Sequence, residues 1–260
     1  MSNTAAIWDK MKLDGYTALV TGAGKGLGRS IAVGLAQAGA NVALLSRTAK
    51  DLEAVADEVR QEGVEALPLV ADVTDSAQVN QAVQEVVKRF GRLDVLVHSA
   101  GSSKPKKTVL ELSDEEWSGL IAANLDSTFF VCKAVGKVMV AQGRGSIINI
   151  ASVAGQRGRP GNAPYSAAKA GVINFSRALA MEWAAAGVRV NSLAPGRFLT
   201  PLTEGEMSDP EKYGAWVKKV PLARLGKPEE LREIAVWLAS EASSFVTGST
   251  FVVDGGVTLL

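Results

Sequence analysis

Short apolar runs rich in β-branched residues recur along the chain, and each is followed by a longer stretch with helical periodicity. The strand-like runs read YTALVTG, NVALLS, VEALPLV, LDVLVHSA, GSIINIAS, VRVNSLAP and TFVVDGG. Their continuous apolar character is typical of strands that are covered on both faces, as in parallel sheets. We therefore expect about seven parallel strands.

Helical spacing of apolar side chains is evident in three stretches, residues 27–38, 51–59 and 76–90. The sequences TDSAQ and LSDEEW supply Ser, Thr or Asp caps before the third and fourth helices. Because the alternation of strands and helices continues to the C-terminus without a linker, it predicts one α/β domain over residues 1–260. This domain would be a doubly wound, Rossmann-type parallel sheet with helices on both faces.

Residues 196–220 interrupt the alternation, since they contain prolines, glycines and aromatic residues without a strand-like run. In a doubly wound sheet, an insertion after a strand lies beside the crevice that binds ligands. We therefore expect this segment to act as a lid on the substrate side.

Composition narrows the possible partners. Of the 260 residues, 47% are apolar and the formal net charge is +1, which favours a globular protein and gives no reason to expect a nucleic-acid or membrane partner. Cys132 is the single cysteine and His98 the single histidine, so neither a disulfide framework, a thiolate metal cluster nor a histidine triad is expected. No apolar run has the length of a signal peptide or a membrane span, which predicts a cytoplasmic protein.

A glycine-rich turn, TGAGKGLGR at residues 21–29, follows the first predicted strand and opens a helix. It fits T-G-x-x-x-G-x-G through Gly22, Gly26 and Gly28, whereas Leu27 prevents a match to G-x-G-x-x-G. Glycines permit a tight turn and close backbone approach, and the N-terminus of the helix attracts a pyrophosphate. The turn therefore indicates a dinucleotide site.

Tyr165 and Lys169 stand four residues apart in GNAPYSAAKAG. On a helix this spacing puts both polar groups on one face, one turn apart. The pair is either a solvated surface pair or a proton donor beside the cation that tunes it, and on its own it leaves both interpretations open.

Taken together, Thr21-Gly22-x-x-x-Gly26-x-Gly28, Asn124, Ser152 and Tyr165-x-x-x-Lys169 resemble the compact form of the short-chain dehydrogenase/reductase family. The resemblance extends from TALVTG to VDGG, and each motif lies in the expected context of strand, loop or helix. It implies an enzyme that interconverts a ketone and a secondary alcohol by hydride transfer with a nicotinamide cofactor.

The resemblance also implies four catalytic residues. Tyr165 would be the general acid or base, and a neighbouring Lys169 ammonium is expected to lower the pKa of its phenol and to contact the nicotinamide ribose. Ser152 would hold the substrate oxygen, although a serine there can instead cap a turn. Asn124 would order water behind the lysine, although it can also be a buried amide that satisfies helix backbone.

The choice of cofactor depends on the end of the second strand, where NAD-binding folds carry an acid that takes the ribose 2′-hydroxyl. Eighteen residues beyond Gly28 stands Ser46, followed by Arg47, and Lys25 lies within the glycine loop. A missing acid beside two cations favours NADP(H) over NAD(H). The alternative is that both cations are simply solvated.

The remaining cofactor contacts come from the resemblance alone: Leu27, Asp72, Val73, Ser99, Ala100, Gly101, Pro195, Gly196 and Thr200. Asp72 can alternatively cap the helix that follows it. The family usually has Asn-Asn-Ala-Gly where this chain has His98-Ser99-Ala100-Gly101, so both asparagines are lost. We interpret His98 as structural and Cys132 as a core residue.

The substrate is less well defined by the sequence. Loops expected at the crevice carry cations and aromatic residues: Lys104, Lys106, Lys107, Arg157, Arg159, Arg197, Phe198, Tyr213 and Trp216. Any inward cation favours an anionic substrate, such as a sugar acid, or an acidic carrier bearing a thioester. The C-terminal third resembles family members that act on gluconate-type sugar acids, whereas YSAAKAGV resembles 3-oxoacyl-carrier reductases.

Two other functions stay open at this point. One is a non-enzymatic nucleotide-sensing protein on the same fold, against which the intact Ser–Tyr–Lys–Asn set argues. The other is a nucleotide-sugar epimerase or dehydratase, which the lack of a separate substrate domain disfavours. The family further implies a homotetramer assembled through two long helices, and a second apolar set on one of them is consistent with this: Val172, Phe175 and Leu179.

Overall fold

The computed structural model describes residues 7–103, 105–201, 203 and 208–260. Its strands are β1 Thr17–Thr21, β2 Asn41–Ser46, β3 Ala66–Val70, β4 Val95–His98, β5 Gly145–Ile150, β6 Val188–Pro195 and β7 Thr250–Val253. Its helices are α1 Gly26–Gln37, α2 Ala49–Gln61, α3 Ser76–Phe90, α4 Asp114–Ile121, α5 Ser127–Gln142, α6 Ala163–Trp183, α7 Pro210–Val217 and α8 Pro228–Ala239. A π-helical turn, Ala122–Asp126, joins α4 to α5.

The strands form one parallel sheet in the order β3-β2-β1-β4-β5-β6-β7. The order reverses between β1 and β4, and such a reversal opens a crevice at the carboxyl ends of the strands. The predicted α/β architecture with about seven parallel strands is therefore confirmed.

Apolar side chains alternate between the two faces of the sheet and build a core on each. On one face Val20 and Leu44 pack with α1, α2 and α8, whereas on the other Leu19 and Leu45 pack with α3, α5 and α6. Burial on both faces explains why these strands read as continuous apolar runs rather than as alternating ones.

The helix boundaries follow local capping. Asp75 precedes α3, and its Oδ1 accepts hydrogen bonds from the backbone amides of Ala77 at 2.8 Å and Gln78 at 3.2 Å. Ser113 and Glu116 form a capping box at the start of α4. The predicted helix at 51–59 is longer in the structure because the first turn of α2 begins directly after its N-cap residue, Thr48.

The segment 196–220 contains α7 in its described part, together with a parallel bridge between Phe198 and Gly226. The bridge ties the beginning of the segment to the stretch before α8, a contact that the sequence did not predict. Among the described helices, none has the length and apolar character needed to cross a membrane.

Candidate functional site

A cavity of about 900 Å³ lies at the carboxyl ends of the strands. It brings together every residue that the sequence predicted for catalysis or cofactor binding: Gly22, Lys25, Gly26, Leu27, Gly28, Ser46, Arg47, Asp72, Val73, Ser99, Ala100, Gly101, Asn124, Ser152, Tyr165, Lys169, Pro195, Gly196 and Thr200. The placement follows from topology, because these residues stand at the ends of six neighbouring strands or on the elements that follow them.

The glycine loop is constrained on every side. Gly22 and Gly26 have φ angles of 65° and 61°, a region that favours glycine. A Cβ on Gly28 would lie 2.3 Å from the carbonyl oxygen of Gly22, so the loop closes only with glycine there. A Cβ on Gly22 would in turn lie 2.9 Å from the amide of Ala100, which places the loops after β1 and β4 in direct contact.

The walls of the cavity fit a dinucleotide. Bare backbone at Gly22, Gly26 and Gly101 allows close approach, and α1 begins at Gly26 with its N-terminal amides and positive dipole end at the cavity. Thr200 lies against this loop, since a Cβ on Gly26 would be 3.6 Å from the Thr200 Cβ. Thr200 therefore lies at the end of the cavity where α1 begins.

His98 lies beneath the loop that follows β4 and is wholly buried, with only 2% of its surface exposed. Its Nδ1 is 2.8 Å from the Thr21 hydroxyl. The Thr21 oxygen also accepts from the amides of Ser99 at 3.2 Å and Ala100 at 3.3 Å, so its proton is directed at the imidazole. His98 therefore accepts at Nδ1 and carries its proton on Nε2.

The other side of the imidazole faces the π-helical turn. His98 Nε2 is 3.4 Å from the Ser127 hydroxyl, which itself donates to the carbonyl oxygen of Ala123 at 2.9 Å. Burial lowers the pKa of His98 to about 3, with a smaller contribution from the Lys169 ammonium, so the ring is neutral. The structural interpretation of His98 is confirmed, since the buried ring links Thr21 to Ser127.

Asn124 is wholly buried within the π-helical turn. Its side-chain amide donates to the carbonyl oxygens of Ser102 at 2.8 Å and Leu120 at 2.9 Å, and its Oδ1 accepts from the Ser102 amide at 3.3 Å. The alternative of a buried amide that satisfies backbone groups is therefore observed. These bonds also fasten the loop after β4 to the helix.

Lys169 is almost fully buried, with 5% exposure, and its Nζ donates to the carbonyl oxygen of Ile150 at 2.8 Å. Burial lowers its pKa to about 8, because the ammonium loses hydration without a carboxylate partner among the described residues. A Cβ on Gly101 would lie 2.6 Å from Asn124 Oδ1 and 3.6 Å from Lys169 Nζ. The two polar groups thus flank the same bare stretch of backbone.

Tyr165 lies one turn before Lys169 on α6, and the ammonium is 5.7 Å from the centre of its ring. Burial raises the pKa of the Tyr165 phenol, and a hydrogen bond with Ser152 opposes this effect. The expected lowering of the Tyr165 pKa by Lys169 is wrong for the protein alone, because the loss of solvation outweighs the other influences. Ser152 also caps the short turn at 153–155, accepting from the Ala154 amide at 3.1 Å.

At the far end of the cavity each predicted cation is paired with an acid. Lys25 Nζ lies 3.0 Å from Asp51 Oδ2, and Arg47 Nη1 lies 3.8 Å from Asp72 Oδ2. The interpretation of both as merely solvated side chains is therefore incomplete. Asp72 does not cap α3, which is the role of Asp75, but accepts from the Thr74 amide at 2.9 Å.

The cations predicted for the substrate loops do not line the cavity. Lys107 pairs with Glu116 at 2.5 Å, Arg157 donates to the Val257 carbonyl oxygen, and Arg159 and Arg197 lie over the ring of Trp216. Lys106 is also absent from the lining, and Lys104 lies outside the described residues. The sequence left open whether any of these cations faces inward, and none of the five that are described lines the cavity.

Sequence reasoning missed several residues that line the cavity: Thr48, Asp51, Ser102, Ser103, Glu116, Leu120 and Ala123. For Asp51 the available signal was its place in the first turn of α2, directly after the second strand. Thr48 comes from the same turn between β2 and α2. For the others no signal was present, because they enter through the loop after β4 and the helix that Asn124 closes. Cys132 is confirmed as a core residue, since it is 0% exposed and burial raises its pKa to about 12.

The fold and the cavity together define a Rossmann-like oxidoreductase of a single α/β domain. A family model described as enoyl-(acyl carrier protein) reductase matches residues 22–258. The chain belongs to the short-chain dehydrogenase/reductase family.

Individual relatives cover nearly the whole chain. Gluconate 5-dehydrogenase of Gluconobacter oxydans strain 621H is 41% identical over 252 residues, which are 96% of this chain and 98% of the relative. A 3-oxoacyl-(acyl-carrier-protein) reductase of Thermotoga maritima is 38% identical over 249 residues, 96% of this chain and 100% of the relative. The crystal structure of a gluconate 5-dehydrogenase from Burkholderia cenocepacia J2315 in complex with NADP and tartrate superposes with a TM-score of 0.93 at 39% identity, covering 98% of this chain and 100% of that one.

Proposed function

We propose that this protein is an NADP(H)-dependent oxidoreductase that interconverts a ketone and a secondary alcohol. The observation that carries the proposal is the convergence of Ser152, Tyr165, Lys169 and Asn124 on one cavity whose other end is a glycine-lined dinucleotide cradle. Supporting this, the gluconate 5-dehydrogenase structure described above contains NADP.

The catalytic roles follow from chemistry and placement. The nicotinamide, when bound, supplies or accepts the hydride at the carbonyl carbon. The Ser152 hydroxyl binds the carbonyl oxygen, and Tyr165 Oη gives its proton to that oxygen in reduction and takes it back in oxidation. Because the pKa of Tyr165 is raised by burial, the phenol is protonated at neutral pH, as an acid for ketone reduction must be.

Lys169 and Asn124 support the proton transfer from behind. The Lys169 ammonium stabilises negative charge that develops on the phenol oxygen, and its bond to the Ile150 carbonyl fixes its direction. Asn124 holds the loop after β4 against the end of α4 and orders water for return of the proton. The described residues of the segment 196–220 form the lid on the substrate side, with Phe198 and Thr203 in the cavity wall.

For the substrate we favour a sugar acid of the gluconate or ketogluconate type. The wall on the substrate side carries Ser102 and Ser103, whose hydroxyls suit a hydroxylated molecule. The similarity to gluconate 5-dehydrogenase supports this choice. A 3-oxoacyl thioester is the second candidate, supported by the similarity to the 3-oxoacyl-carrier reductase.

The test is a reductase assay with NADPH and NADH against 5-ketogluconate, acetoacetyl thioesters and simple diketones, with Tyr165→Phe alongside. We expect NADPH to give the higher kcat/KM, 5-ketogluconate to be the best substrate, and the variant to lose about 1,000-fold in kcat while binding cofactor normally. Full activity of Tyr165→Phe, or an equal or better kcat/KM with NADH, contradicts the proposal. Unchanged biological effect without the phenol would instead favour a nucleotide sensor.

We also propose that the protein assembles as a homotetramer. Of the apolar set on α6, Val172 and Leu179 are buried inside the subunit, so core packing accounts for these two. Phe175 instead joins Phe129 on α5, with ring centres 6.3 Å apart, in a surface groove of about 640 Å³. This groove supports an interface through the two long helices.

A further inference from the structure

The end of the cavity beside Ser46 and Arg47, where the ribose 2′ group of the cofactor is expected, contains an acid that the sequence motif does not specify. Asp51 lines the cavity beside Ser46 and Lys25, and its Oδ2 is 3.0 Å from the Lys25 ammonium. The side chain of Asp51 is 30% exposed and that of Lys25 is 65% exposed. The carboxylate is therefore the more enclosed member of the pair.

The position of Asp51 is built into the loop. A Cβ on Gly24 would lie 2.9 Å from the Asp51 Cβ and 3.2 Å from the Ser46 hydroxyl oxygen, so glycine at 24 lets the first turn of α2 approach the glycine loop. Asp51 lies on α2, five residues beyond Ser46. It thus supplies a carboxylate near the end of β2, where the sequence motif lacks one. The acid comes from a helix rather than from the end of β2.

The second ion pair at this end is different in kind. Arg47 and Asp72 are 3.8 Å apart, and the guanidinium is 79% exposed. Asp72 Oδ1 is already engaged by the amide of Thr74 at 2.9 Å and its hydroxyl at 2.8 Å. The Arg47 guanidinium is therefore loosely held and open to an incoming anion, whereas Lys25 is held at hydrogen-bond distance.

We propose that Asp51 is a specificity-determining residue that limits the preference for a 2′-phosphate over a 2′-hydroxyl on the cofactor ribose. The Asp51 carboxylate neutralises Lys25 and places a negative charge beside the position that the 2′-phosphate of NADP(H) would occupy. The inference rests on the proposed function, since it concerns how the same cavity distinguishes NADP(H) from NAD(H).

Two physical effects give the direction. A phosphate dianion near Asp51 is repelled and must also compete for Lys25, which disfavours NADP(H). A ribose hydroxyl, by contrast, can donate a hydrogen bond to a carboxylate, which favours NAD(H). Because exposed ion pairs contribute little to stability, exchanging Asp51 for its amide leaves the fold intact while removing the charge.

The experiment is a calorimetric binding titration of the full-length protein with NADPH and with NADH, in the absence of substrate. We expect Asp51→Asn to raise the ratio of the NADH Kd to the NADPH Kd about tenfold. Asp57→Asn is the matched control, because Asp57 lies on the same helix and pairs with Arg60 at 2.9 Å, and it should leave the ratio within twofold. In a Lys25→Met background, the fold-change in this ratio caused by Asp51→Asn should fall to less than half of its value in the wild-type background.

An Asp51→Asn ratio that stays within twofold of the wild type, or that falls, overturns the inference. An undiminished effect in the Lys25→Met background overturns the part that acts through Lys25. Failure of the wild type to bind either dinucleotide contradicts the proposed function itself, which separates the two hypotheses. Circular dichroism of each variant shows whether a lost affinity reflects unfolding instead.

Discussion

His98 and Thr21 face each other across the β1–β4 pair as register partners, and the imidazole Nδ1 accepts the threonine proton over 2.8 Å. One hydroxyl thereby serves three groups, since it also receives the two amides that begin the loop after β4. Two segments of the candidate dinucleotide site are consequently fixed by a single neutral ring. The sequence showed only that two asparagines were missing.

The neutrality of His98 predicts a specific loss of stability in acid. Its pKa is lowered from 6.5 to about 3, so the unfolded chain binds the proton first as the pH falls. Stability from this residue is complete above pH 6.5 and decreases toward pH 3, reaching a loss of about 2.5 kcal/mol at pH 4.5. Compared with His98→Asn, the wild type should lose that much more unfolding free energy between pH 7 and 4.5. Parallel losses in urea titrations would contradict the buried neutral ring.

The buried Lys169 predicts a gain of stability at alkaline pH. Burial lowers its pKa from 10.5 to about 8, which means that the folded state gives up the proton first as the pH rises. The cost of burying the ammonium is complete below pH 8 and is relieved by about 2 kcal/mol at pH 9.5. The unfolding free energy of the wild type should therefore rise relative to Lys169→Met over this range. Lys88→Met, which removes a lysine that is 79% exposed, serves as the control and should track the wild type.

Gly28 predicts a local steric effect. Gly28→Ala places a methyl group 2.3 Å from the Gly22 carbonyl oxygen inside a buried turn, so we expect a loss of about 3 kcal/mol in stability. Binding of NADPH should weaken at least tenfold in the same variant, because the loop must shift. Gly158→Ala meets no atom within 4 Å and should change stability by less than about 0.5 kcal/mol. Equal midpoints for the two variants in thermal unfolding would show that the turn is not closed as described.

The aromatic groove on α5 and α6 predicts the oligomeric state. Phe175→Asp puts a charge in the groove beside Phe129, so sedimentation velocity should show a smaller species than the tetramer expected of the wild type. Leu110→Asp changes a side chain that is 99% exposed elsewhere on the surface and should sediment like the wild type. A monomeric wild type would overturn the proposed assembly.

The sheet and the glycine loop were predictable because their physics is local. Buried parallel strands require uninterrupted apolar runs, and the turn at Gly22 and Gly26 requires residues that tolerate a positive φ. The spacing of Tyr165 and Lys169 is likewise a property of one helix. These features are therefore encoded within a few residues of each other.

What escaped prediction depends on contacts between distant segments. The approach of Asp51 to Lys25 needs the packing of α2 against the glycine loop, which no periodicity reports. The same holds for Arg159 and Arg197, whose guanidinium groups lie over the ring of Trp216. The raised pKa of Tyr165 depends on burial by the whole cavity wall rather than on its neighbour in the helix.

The π-helical turn at Ala122–Asp126 changes the rotation about the helix axis in an otherwise continuous helix from α4 to α5. A wider turn accommodates one more residue than an α-helical turn, which rotates everything beyond it by about 100°. Because of this rotation, Leu120 and Asn124 line the cavity. Farther along the helix, Val131 and Val135 pack in the core on one face of the sheet. Deleting one residue from this turn would therefore rotate all of α5 relative to α4. The cavity residues before the deletion and the core residues after it could then no longer both keep their present orientations.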